Sequence, residues 1–119
     1  MASENNTAAN YNIKCNQSET FQRNLTYQDS TGTAINLTGY TAKLQIRKDF
    51  DQDAVVSLTE SSGITLGGAA GTIAIEITAA ATALLERNSY LYDLVLTTSG
   101  GIKTRILEGR FDVVAGITR

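Results

Sequence analysis

The chain has no histidine, no tryptophan and no proline, and its only cysteine is Cys15. Each absence excludes something. Without His, the usual general base and the commonest metal ligand are both missing. Nucleophilic catalysis needs a base beside the nucleophile, so neither Cys15 nor any Ser has its customary partner. One cysteine cannot close an intramolecular disulfide, and a lone thiol fits synthesis in a reducing cytoplasm. Ordinary usage of about 5% would put roughly six prolines in a chain of this length. Gly, Asn, Asp and Ser are left to make the turns. No stretch approaches the roughly eighteen consecutive apolar residues of a membrane-spanning helix. The opening MASENNTAAN has neither the basic end nor the apolar run of a secretion signal. The four N-x-S/T matches at Asn5, Asn16, Asn24 and Asn36 therefore read as polar turn and strand-edge residues.

What is present describes one globular domain. Apolar residues make up 42% and charged residues 18% of 119, enough for a single core without staples. The net charge is −2, with Lys and Arg scattered from Lys14 to Arg119. That balance gives no electrostatic drive toward nucleic acid or an anionic membrane.

Period-2 alternation begins after the first ten residues and hardly stops. Phe21, Leu25 and Tyr27 share a parity, with Arg23 the exception. Asp29 to Gly32 (DSTG) is a turn. Tyr40, Ala42, Leu44 and Ile46 point one way, and Thr41, Lys43, Gln45 and Arg47 the other. Val56 and Leu58 point inward, as do Ile73, Ile75 and Ile77, then Tyr90, Tyr92, Leu94 and Leu96. SGG at 99 to 101 marks a hairpin. Leu107, Phe111 and Val113 point inward around Gly109, whose place in a strand predicts a bulge or a close backbone approach. One segment breaks the rhythm. TAAATALLERN, from Thr78 to Asn88, predicts a short helical connection over 79–87, capped by Thr78 and ended by Asn88. The fold expected is an all-β, antiparallel β-sandwich, immunoglobulin-like or jelly-roll-like, spanning 11–119. Residues 1–10 read as a flexible N-terminal arm with no core contribution.

One stretch imitates a metal site. DFDQDAVVSLTE sets Asp49, Asp51, Asp53 and Glu60 at the spacing of an EF-hand loop. Position 6 of such a loop needs Gly and holds Ala54, and both flanks read as strands instead of helices. The stretch is expected to be a polar turn, with no metal. Glu76 and Asp93, on outward parities of different strands, could pair for acid–base work, but solvated surface positions are normally charged. GGAAG at 67 to 71 lacks the Lys and Ser/Thr of a phosphate loop and leads into a strand. No catalytic residue and no cofactor are expected.

Tyr11-Asn12-Ile13, QSETF at 17 to 21, and INLTGYTAKLQIRK at 35 to 48 form a recognisable series. GITLGGAAGTIAIEITAAATALL, YLYDLVLT and ILEGRFDVVAGITR continue it. The series resembles the N-terminal domain of bacteriophage baseplate upper proteins and related small virion proteins. Ser18 stands where that family usually has Gly, and Asn36 where it has Asp. The resemblance implies a non-enzymatic virion structural protein, made in the host cytoplasm and present as a homo-oligomer or in several copies in the particle. It would bind other virion proteins as a tail or baseplate component, or as a capsid decoration protein. The residues available for docking are those of the arm: Ala2, Ser3, Glu4, Asn5, Asn6, Thr7, Ala8, Ala9 and Asn10. A carbohydrate-binding or adhesion module is the alternative from another class.

Overall fold

The computed structural model of the chain describes residues 9–115. Its strands are β1 (Ala9–Asn10), β2 (Ile13–Asn16), β3 (Phe21–Thr26), β4 (Thr41–Arg47), β5 (Ala54–Glu60) and β6 (Gly63–Leu66). A 3₁₀ turn at Gly68–Ala70 leads to β7 (Thr72–Ile77), and helix α1 (Ala79–Ala83) leads to β8 (Asn88–Thr97) and β9 (Lys103–Val114). The all-β expectation holds. Parity is the reason: Ala42, Leu44 and Ile46 on β4, the three isoleucines of β7, and Tyr90, Tyr92, Leu94 and Leu96 on β8 are all buried.

Hydrogen bonds join the strands in the order β1-β9-β8-β4-β5-β6-β7-β3, with β2 also on β9. The sheet curls until its two ends meet. The Phe21 ring on β3 stands edge-on to Phe111 on β9, centroids 5.6 Å apart, and Phe111 meets Tyr92 in the same way at 6.3 Å. Along the path, β9-β8-β4-β5 is followed by β6-β7-β3 in one continuous hydrogen-bonded sheet. Tyr90 adds a local tie. Its hydroxyl donates to the Glu86 carbonyl (3.2 Å) and accepts from the Glu86 N–H (3.1 Å), tying the start of β8 to the connection before it.

One expectation about the sheet is corrected, and a further bulge in β9 is added. The sheet is mixed, because β1 and β2 run parallel to β9, and β5 pairs with β6 in parallel through two residue pairs. The second link exists because Ser61, at φ 62°, and Ser62 fold the chain back within two residues. The bulge in β9 is at Ile106, where the register with β8 shifts between Leu94 and Val95. It turns Ile106 and Leu107 inward in succession, and both are buried.

The helical connection is shorter than 79–87. Thr78 caps α1 as expected, its Oγ1 accepting from the Ala81 N–H at 3.2 Å. Asn88 opens β8 instead of closing the helix. Five residues make no stable helix alone. Buried Thr82 anchors this one, its Oγ1 donating to the Glu19 carbonyl at 2.7 Å.

Candidate functional site

Of the candidate docking residues, 2–8 lie outside the described residues, and Ala9 and Asn10 do not belong to an arm. They form β1, in parallel register with Leu107 and Glu108. Nothing apolar announces this strand; its partners are backbone groups. The Tyr11 N–H then donates to the Glu108 carbonyl at 2.8 Å, Tyr92 Oη donates to the Tyr11 carbonyl, and Asn12 Oδ1 accepts from the Arg110 N–H at 3.0 Å. Tyr11 and Asn12 cross β9 directly over Gly109. A Cβ there would stand 2.6 Å from the Tyr11 carbonyl oxygen, so the close approach expected at Gly109 is present.

Arg23, the residue that broke the parity of β3, has its explanation at the same place. Its guanidinium lies 5.2 Å from the Phe21 ring centre and 5.7 Å from that of Tyr11, and Nη1 donates to Tyr11 Oη at 2.7 Å. It is half-buried between two rings. No carboxylate forms an ion pair with it among the described residues.

The outward face of β4, β8 and β9 carries a groove of about 610 Å³. Leu91 and Gly109 line it, with Arg47, Asp93, Arg105 and Arg110 around them. Its charges are largely matched. Arg105 bridges Asp93 (3.2 Å) and Glu108 (3.4 Å), and Arg47 donates to Gln45 Oε1 and to the Gln52 carbonyl. Phe50 stands at its rim, 84% exposed. Sequence reasoning missed this ring; the signal was a lone Phe among three Asp in a turn.

The acidic stretch is a turn between β4 and β5 followed by β5 itself. Asp49 Oδ1 accepts from the Phe50 N–H at 2.7 Å. Glu60 lies at the far end of a seven-residue strand, about 20 Å away at roughly 3.3 Å per residue. There its carboxylate accepts from the Ala42 N–H at 2.9 Å, which holds its pKa below the usual value. The four carboxylates do not converge. Nor do Glu76 and Asp93: Glu76 accepts from Gln22 Nε2 at 2.9 Å on β3, while Asp93 pairs with Arg105.

The GGAAG run packs backbone instead of cradling a ligand. Gly71 has φ 69°, and a Cβ on it would stand 2.8 Å from the Ile35 carbonyl oxygen. Cys15 is 1% exposed, and burial, then Glu19, push its thiol up to about 11, so the thiolate a nucleophile needs is scarce.

No family model and no curated protein matches the chain. Among solved structures, one from a study of multimeric cell-adhesive interactions of VGSC beta subunits is similar over 88% of this chain and 92% of its own. The identity is 12% and the TM-score 0.49, too distant a likeness to carry an argument about fold or adhesion.

Proposed function

We propose that the chain is a non-enzymatic bacteriophage virion structural protein that binds other virion proteins. It would serve as a tail or baseplate component or as a capsid decoration protein, present in several copies. The observation that carries this reading is the series of strand phrases from Tyr11-Asn12-Ile13 to ILEGRFDVVAGITR, which resembles small virion domains over 11–119. Two features are compatible with it. Glu60, Glu76 and Asp93, considered for chemistry, are spent on separate structural partners. The small curled sheet also leaves strand edges and outward faces, which are what an assembly module uses. Immunogold labelling of intact particles tests the reading, with label on the virion expected.

A second reading, carbohydrate binding, is favoured by one observation. Phe50 exposes its ring beside a polar groove with an apolar floor residue, Leu91. A glycan array separates the two: retention of a sugar that Phe50→Ala abolishes would favour the groove as the working site.

A further inference from the structure

Strand β3 ends the sheet, and its outer edge has no neighbour among the described residues. Natural sheets guard such edges with Pro, Lys, bulges or very short strands, because unpaired N–H and C=O groups template further strands. β3 has no Pro, Lys or bulge, and its one guard is the inward-turned charge of Arg23. Its six residues pair with β7 in unbroken register from Phe21↔Ile77 to Thr26↔Thr72. The Tyr27 N–H donates to the Gly71 carbonyl at 2.8 Å, extending that register by one residue. By the alternation of an antiparallel ladder, Phe21, Arg23 and Leu25 bond to β7, while the backbone groups of Gln22, Asn24 and Thr26 face outward.

The core is unfinished on the same side. The inward residues of β7 are closed off, Ile73 at 0%, Ile75 at 3% and Ile77 at 2% exposure. Their neighbours Arg23 and Leu25 on β3 are only half-buried. A strand laid along β3 would cover both.

The described residues of the N-terminal segment do not fill this edge. Tyr11 touches Arg23, and Ile13, paired with Phe111, comes level with Phe21 through the ring contact. The two segments thus run in opposite directions, and residues 9–13 are level with β3. Ala9, Asn10 and Ile13 are already bonded to β9. A second molecule has no such constraint.

We propose that the β3 edge accepts, as an added strand, the segment MASENNTA that precedes β1 in a second copy of this chain. The inference rests on reading the protein as an assembling structural component. The segment's only charged side chain is Glu4, and β3 carries Arg23, half-buried and in no ion pair among the described residues. Strand addition supplies main-chain hydrogen bonds, and the Glu4–Arg23 match sets the register. One segment on one edge is a heterologous contact, so successive copies link head to tail.

Three chains test this by sedimentation velocity: the full protein, a deletion of residues 2–8, and Asn24→Pro. Asn24 directs its N–H away from β7, so Pro there removes an edge donor and spares the existing ladder. Circular dichroism confirms that each variant keeps its strands, and the deletion stands alone if Asn24→Pro does not fold. The full protein is expected to gain mass with concentration, and each variant to stay monomeric. Mixing the variants supplies one intact segment and one intact edge, so the mixture should form dimers and stop there. A full protein that stays monomeric at millimolar concentration overturns the proposal. So does a deletion variant that associates like the parent, or a mixture of folded variants that forms no dimer. Particle labelling is a separate readout, so label on virions with no self-association would remove this strand addition alone.

Discussion

The Tyr11 carbonyl lies across Gly109 with no room for a side chain, a Cβ there falling 2.6 Å from its oxygen and 2.8 Å from Asn12 Oδ1. This crossing joins β1 and β2 into one segment along β9, and it holds Tyr11 where it can receive Arg23. Gly109→Ala is therefore expected to destabilise the domain by about 1–3 kcal/mol, the usual penalty of forcing a group into packed structure. Gly100→Ala is the control, since its Cβ would have nothing nearer than 3.7 Å. Urea unfolding of both variants checks the difference. Equal midpoints would mean the crossing yields freely.

Opposite parities of β4 predict opposite sensitivities. Leu44 is 2% exposed and sits between Leu58 and Leu94, whereas Lys43 is exposed. Leu44→Asp buries an unpaired carboxylate and should unfold the domain, at several kcal/mol. Lys43→Asp should stay within about 0.5 kcal/mol. Thermal melts of both report the contrast, and equal losses would place β4 in a different register.

The parities of β4, β7 and β8 were legible in the sequence because one face of each strand is buried and side chains alternate. What failed to show has a common cause. Ala9 and Asn10 join the sheet through backbone groups alone, which leave no side-chain pattern, so the arm was drawn two residues too long. Ile106 is buried by a bulge that inverts the alternation, and alternation was the only signal available. Arg23 broke the parity visibly, but its reason, the rings of Tyr11 and Phe21, needed tertiary structure. The exposed Phe50 and the open β3 edge were equally silent, since exposure depends on what the rest of the chain leaves uncovered.

Tyr90 reads as core from its parity, yet its hydroxyl holds both the N–H and the carbonyl of Glu86. Tyr90→Phe keeps the ring and removes the tie. A loss of about 1–2 kcal/mol is expected, since a part-buried backbone pair loses its partner. Guanidinium unfolding measures it. An unchanged midpoint would mean that water replaces the hydroxyl at no cost.

Cys15 gives a pH dependence with a definite sign. Its folded pKa is raised to about 11 from 9.0, so the folded state holds the proton after the unfolded state has released it. The stabilisation is complete below pH 9 and is lost as pH rises toward 11. Tyr92, also raised by burial, acts in the same direction at higher pH. Melting temperatures of the parent and Cys15→Ala from pH 8 to 11 isolate the thiol. The parent should fall more steeply between 9 and 11, and parallel curves would contradict the burial of Cys15.

The central proposal is that this protein belongs to the virion. Gold-conjugated antibody against the purified domain, applied to intact particles and viewed by electron microscopy, tests it most directly. The account predicts label on the particle surface in a repeated arrangement, on the tail or baseplate or over the capsid. Unlabelled particles, with the protein found by mass spectrometry in the lysate and missing from purified virions, would contradict it.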